Sequence, residues 1–233
     1  MYTLICQLVV LTGLACLVVA WVRAWPYPSP VIRRFLPPRL RWPEAQIRAM
    51  LDTGRLHPGY LAFFNRDPVR DVSAGEDLLA PADGLLLSAE TAGAVRYIVI
   101  ALSFWDVHVQ RSPLAGRVRT IETLGDAFRD GEGRDFAFLA AKHCPVQKRI
   151  VIDAGADEIA IRLVTSIAAR RIEVWPSPGD SLARGERLGR ILLGSTVVLE
   201  VPMHMRCALS PGVRVRAGET VLVTRDRATS PAR

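Results

Sequence analysis

Apolar positions follow two regimes along the chain. From Thr3 to Val22 they form an uncharged run of about twenty residues. As a helix rising about 1.5 Å per residue, it would measure about 30 Å, the thickness of a bilayer core. The run has no polar face on which to lie flat in an interface. A cleaved signal peptide would start with positive charge, and Met1-Tyr2-Thr3 carries none. The prediction is therefore an N-terminal transmembrane helix within 1–25. Beyond Tyr60 the pattern changes to short apolar runs separated by Gly, Pro and Asp: Gly84–Leu87, Val95–Leu102, Ile150–Ile152, Ile159–Val164, Ile172–Val174 and Ile191–Val201. Regular short strands predict a mainly β fold, a barrel-sandwich of two similar lobes. A weak repeat supports the lobes: Pro178-Gly179 to Gly185-Glu186 resembles Pro211-Gly212 to Gly218-Glu219, each read as a hairpin. Thr123–Cys144 is less regular and reads as a loop with one helix.

Between the two regimes, Pro26–Pro43 holds six prolines and reads as an extended linker. Pro43–Leu51 reads as a short amphipathic helix. The expected organisation is an anchor over 1–25, a linker with its helix over 26–58, a β domain over 59–226 and a disordered tail over 227–233.

Charge sharpens this picture. The net charge is +7, and only Lys142 and Lys148 are lysines. Trp21, Trp25 and Tyr27 form an interfacial belt, followed by Arg23, Arg33, Arg34, Arg39 and Arg41 with no acidic residue before Glu44. The positive-inside rule puts the body on the cytoplasmic face of the cell membrane. A basic surface suits nucleic acid or anionic lipid. Aromatic residues are sparse and no nucleic-acid signature appears, so lipid is the expected partner. Cys6, Cys16, Cys144 and Cys207 have no paired spacing and suit a reducing compartment.

Four stretches could carry chemistry. In Leu192-Leu193-Gly194-Ser195-Thr196, a glycine and two hydroxyl residues interrupt an apolar strand. This is a bulge or tight turn, or a place where Ser195 attacks the Gly194 carbonyl and the chain cuts itself. Asp83, in Pro81-Ala82-Asp83-Gly84, is a turn residue or a site carboxylate. Asp106, His108 and Gln110 share one face if Phe104–Arg111 is extended. His108 would then become a base where a carboxylate orients it and a hydroxyl lies within reach. Phe63–Arg70 alone says little beyond a turn at Asp67-Pro68.

Taken together and in this order, F-F-x-R-D-P (Phe63–Pro68), P-A-D-G (Pro81–Gly84), D-V-H-V-x-R-x-P-x-x-G (Asp106–Gly116) and L-G-S-T (Leu193–Thr196) resemble phosphatidylserine decarboxylase in its short bacterial and archaeal form. The resemblance covers roughly Tyr60 to Val223. It implies a pyruvoyl-dependent enzyme, without metal or pyridoxal phosphate, that makes its own cofactor. Asp83, His108 and Ser195 would form a triad that cuts between Gly194 and Ser195. The chains 1–194 and 195–233 would stay associated, as a monomer or within a homo-oligomer. The pyruvoyl group from Ser195 would take the amine of phosphatidylserine as a Schiff base and yield phosphatidylethanolamine and CO2. Longer bacterial forms carry two histidines three residues apart. Here His108 holds the first place and Arg111 the second, so His108 serves cleavage and decarboxylation alike, or His143 or His204 assists. Arg111 either binds a substrate carboxylate or phosphate or braces its strand. Two rival readings remain. One is a zinc hydrolase using His57, His108, His143 or His204, although these show no ligand spacing. The other is an inactive carrier-like module at the membrane, although neither hairpin tip has a lysine to modify.

Overall fold

The computed structural model describes residues 2–24, 65–103, 106–125, 146–155, 157–165, 171–191 and 196–225. The linker and tail, and most of Thr123–Cys144, lie outside the described residues. A helix, α1, spans Tyr2–Ala24, where the apolar run predicts one. Its described side chains, 6–18, are exposed, Leu8, Leu11, Leu14 and Leu17 each by more than half. Among the described residues no helix is long and apolar enough to cross a membrane. The structure therefore does not support the transmembrane part of the expected fold.

The rest of the described chain is β. In chain order the strands are β1 (Leu78–Leu79), β2 (Gly84–Ala92), β3 (Val95–Ala101), β4 (Val109–Arg111), β5 (Gly116–Leu124), β6 (Gln147–Asp153), β7 (Glu158–Val164), β8 (Ile172–Val174), β9 (Ser181–Leu182), β10 (Arg187–Ile191), β11 (Thr196–Pro202), β12 (Arg206–Cys207), β13 (Arg214–Val215) and β14 (Val221–Thr224). An eight-stranded sheet, ordered β13-β2-β3-β11-β7-β6-β5-β9, curls into a half-barrel. Two three-stranded sheets, β1-β14-β12 and β4-β10-β8, complete the domain.

β11 is the central strand of the large sheet, and its side chains alternate between two environments. Val197, Leu199 and Val201 enter the main core with Ile98, Ile100, Ile150, Ile161 and Leu163. On the other face, Val198 meets Val99 and Val164. Further along that face Glu200 receives Arg149 Nη2 at 2.9 Å and the Arg162 guanidinium. A buried carboxylate needs such partners.

The run Ile191–Val201 reads in sequence as a single bent strand. The structure instead divides it between two sheets. β10 pairs with β4 and β8, whereas β11 pairs with β3 and β7. Leu192–Ser195 connects the two and lies outside the described residues.

The sequence repeat corresponds to two similar lobes. Leu79 N–H donates to Pro113 O at 2.9 Å, and Arg111 N–H donates to Pro81 O at 2.8 Å. Two Pro-x-x-Gly turns thus exchange equivalent bonds. The hairpin glycines dock equivalently, Gly218 N–H on Ala80 O and Gly185 N–H on Ser112 O. Each turn opens a long strand at a glycine pressed against a neighbour's backbone. A Cβ on Gly84 would collide with Ala101 O, and one on Gly116 would lie 2.6 Å from Asp153 O. Gly84 also has φ +153°, which side chains resist.

Candidate active site

Strand register gathers the chemical stretches at one end of the domain. Leu85 of β2 and Thr196 of β11 both pair with Ala101, the last residue of β3. Asp83 precedes Leu85 by two residues and Ser195 precedes Thr196 by one. Their strands are two spacings apart, about 10 Å. The loop that carries Asp106 and His108 leaves from Ala101 itself. In the smaller sheet, Val109 pairs with Arg190, next to the last residue of β10. His108 therefore stands where the chain leaves β10 for Leu192–Ser195. Gly194 and Ser195 lie outside the described residues, but both ends of their segment are anchored. Thr196 is 1% exposed.

The face shared by Asp106, His108 and Gln110 is only partly realised, because β4 begins at Val109. Asp106 folds back into a turn, and its carboxylate accepts from Ser103 N–H at 2.7 Å, from Ser103 Oγ at 2.8 Å and from Arg214. Its carbonyl lies 2.8 Å from His108 Nδ1. A carbonyl only accepts, so Nδ1 carries the proton and Nε2 is the basic nitrogen. Arg66 Nη2 donates to the same carbonyl at 2.9 Å. Burial is the main reason that the His108 pKa falls to about 4; the Asp106 carbonyl opposes this fall and the Arg66 charge adds to it. At neutral pH His108 is thus an uncharged imidazole. Burial likewise lowers the Arg66 pKa, against the pull of Asp106 and Asp83.

The depressed His108 pKa has a consequence for stability. Between pH 6.5 and about 4, the unfolded chain binds a proton at this position that the folded chain refuses. Stability present above pH 6.5 is therefore lost as pH falls, by up to about 1.4 kcal/mol per unit, and the loss levels off below about 4. Urea unfolding across this range should show a steeper acid loss for the wild-type chain than for His108→Gln. Equal slopes would contradict the assignment.

Asp83 does not hydrogen-bond His108. Its carboxylate accepts from Arg70 Nη2 at 2.9 Å and from Ala217 N–H, in the C-terminal hairpin, at 2.8 Å. The Asp106 carbonyl meets His108 Nδ1, and Asp83 acts by charge on Arg66, which donates to that same carbonyl. Arg70 is 5% exposed, and its other partner, Glu219, lies 3.8 Å from Nη1. Asp83→Ala should therefore destabilise the fold by about 3 kcal/mol, read as a lower urea midpoint, because it strands a buried cation. Adding Arg70→Met should recover part of the loss.

Arg111 Nη1 donates to Gly185 O at 2.9 Å, and its Nη2 pairs with Asp67. Asp67 also takes Arg187. These bonds brace β4 against the first hairpin of the repeat, Pro178–Glu186. The segment Arg66–Arg70 thus ties Asp106, Arg111, Arg187 and Asp83 together, roles that its sequence alone did not disclose. The available signal was charge density: three charged side chains within five residues, which a packed domain can bury only by pairing them. His204 Nε2 is 3.2 Å from Asp157. It follows the far end of β11, about 20 Å along that strand from Thr196. His57, His143 and Cys144 lie outside the described residues. Among the described residues no group of three or more His, Cys, Asp or Glu could hold a metal ion.

Residues 60–223 match the family model for phosphatidylserine decarboxylase. A phosphatidylserine decarboxylase proenzyme of Solibacter usitatus is 30% identical, over 71% of this chain and 79% of its own. One from Symbiobacterium thermophilum is 32% identical over 70% of this chain and 78% of its own. A third, from Desulfotalea psychrophila, is 32% identical over 72% and 80%. The chain belongs to the phosphatidylserine decarboxylase family. It is a decarboxylase.

Proposed function

We propose that the chain cuts itself between Gly194 and Ser195 and uses the resulting pyruvoyl group to convert phosphatidylserine to phosphatidylethanolamine and CO2. The observation that carries this reading is the convergence just described. The described ends of the Leu192–Ser195 segment abut His108 on one side and the Ala101 row leading to Asp83 on the other. His108 Nε2 takes the proton from Ser195 Oγ, and Oγ attacks the Gly194 carbonyl to give an ester. The Asp106 carbonyl holds the imidazole tautomer, and the Asp83 and Asp106 carboxylates offset the positive charge that develops on the ring. As the ester forms, the Gly194 C–N bond breaks and frees the Ser195 amine; loss of the Ser195 α-proton then breaks the Cβ–Oγ bond, leaving Oγ on the Gly194 carboxylate and a Cα=Cβ double bond at position 195. Water then replaces the amine at position 195 and ammonia departs.

The residues suit a carbonyl group formed at position 195. It would be joined to the buried Thr196 and lie near an uncharged base. A carbonyl held there would supply an electrophile for the substrate amine and a sink for the electron pair left when CO2 departs. Arg111 is committed to Asp67 and Gly185, which favours bracing as its role. The uncharged stretch in α1 and the arginines that follow support anchorage in the cell membrane with the domain at the cytoplasmic face.

Intact mass spectrometry of the detergent-purified wild-type chain tests the reading. Two fragments are expected, meeting between 194 and 195. Their masses should sum to that of the precursor plus water minus ammonia, and the C-terminal fragment should lack a free amino terminus. A single uncut chain would remove the pyruvoyl reading.

A further inference from the structure

Among the described residues, one fully buried polar side chain has no hydrogen-bond partner on any of its polar atoms. Gln110 is fully buried in β4, and neither its Nε2 nor its Oε1 has a hydrogen-bond partner. Buried amides are normally paired, so a carboxamide left bare on both atoms needs a reason. The two-lobed symmetry supplies a control. Leu79 pairs with Val221 as Arg111 pairs with Arg187, and Leu78 pairs with Val223 as Gln110 pairs with Gly189. The counterpart of Gln110 is therefore Leu78, a fully buried core leucine. At this position the architecture accepts an apolar side chain in one lobe, while the other lobe carries an amide without a partner.

Its location points to the missing partner. Gln110 lies two residues after His108. Its cross-strand neighbour Gly189 brings no side chain to the amide and lies three residues before Leu192. The amide thus belongs to the end of β4 and β10 that holds the self-cleaving segment, and it remains unpaired while the chain is whole. We propose that Gln110 receives the serine headgroup of the substrate, its Nε2–H donating to the α-carboxylate. This rests on the decarboxylase reading above and assigns that reading a specificity residue. A neutral donor suits the task. A guanidinium would hold the carboxylate by full charge and stabilise the bound substrate more than the uncharged CO2 into which it turns. The neighbouring guanidinium, Arg111, is turned away onto Asp67 and Gly185.

The test uses the full-length Ser195→Ala chain, which cannot turn substrate over, with two soluble headgroups, glycerophosphoserine and glycerophosphoethanolamine. They differ by the carboxylate. Titration followed by ligand-observed NMR should show glycerophosphoserine bound about tenfold more tightly, and Gln110→Leu in the same background should reduce that preference to within about twofold. The Gln110→Leu chain should also melt at a higher temperature, because it replaces a bare amide with the residue its counterpart already uses. An undiminished preference in Gln110→Leu would overturn the proposal, as would a variant that melts lower or fails to fold. Equal binding of the two headgroups by the chain that retains Gln110 would overturn it too. If the wild-type chain stays uncut while the Gln110-dependent preference holds, the pyruvoyl reading fails and carboxylate recognition stands.

Discussion

A Ser195→Ala chain is expected to remain a single polypeptide of 233 residues and to release no CO2 from phosphatidylserine. The loss should be complete rather than graded, because one hydroxyl serves as the nucleophile and its β-carbon–oxygen bond is the one later broken. Alanine supplies neither. Residual catalysis after loss of a triad member in a hydrolase comes from the remaining binding and oxyanion groups acting on water. Here water attack would give an ordinary amino terminus at residue 195 and no cofactor, so it would not restore decarboxylation. Alanine is also small enough for the segment between β10 and β11 to keep its course, and the melting temperature should stay within about 2 °C of that of an uncut wild-type precursor. Intact mass and CO2 release, measured on the same preparation, check both halves. A cut Ser195→Ala chain would show that scission proceeds through another group, and an uncut but active one would separate decarboxylation from the pyruvoyl group.

What could be read from the chain in advance follows from how local each feature is. The β class and the hairpin repeat are legible because strand alternation and Pro-Gly turns are encoded within a few residues. Asp83, His108 and Ser195 stand out because short turn-and-strand motifs present them. Their relative placement was not legible, because it depends on register. Thr196 and Leu85 meet across Ala101 through pairings that no nearby residue announces. Partner choice was hidden for the same reason. Asp67 looks like the start of a turn, yet its carboxylate bonds Arg111, 44 residues away, and Arg187, 120 residues away. The partners of Asp83 and His108 were not legible for a different reason. Two donors, Arg70 and the Ala217 amide, reach the Asp83 carboxylate, and a backbone carbonyl two residues before the histidine meets its Nδ1. A backbone acceptor leaves no trace in residue identity. The run Ile191–Val201 misled because apolar continuity does not reveal a change of sheet.

His108→Gln is expected to slow self-cleavage by at least about 10⁴-fold, so that fragments of the wild-type masses are nearly absent over days. Glutamine keeps most of the imidazole's volume and a group able to meet the Asp106 carbonyl, but it has no basic nitrogen at neutral pH. The comparison therefore removes the base with little loss of packing. Activity alone would be a poor readout, since every variant that stays uncut lacks the cofactor; the rate of fragment appearance reports on His108 directly. The pH profile supplies a second check. A base whose pKa is about 4 is already unprotonated at pH 7, so wild-type cleavage should change little with acidification to about pH 5 and then fall tenfold per unit below about 4. A midpoint near 6.5 would instead indicate a solvent-exposed histidine. His204 is exposed, held by Asp157, and displaced along β11 from the segment that is cut, so His204→Gln should leave the cleavage rate unchanged. If His108→Gln cleaved at the wild-type rate, the base would have to be sought elsewhere in the chain, and the short distance from Asp106 O to Nδ1 would be a feature of packing alone.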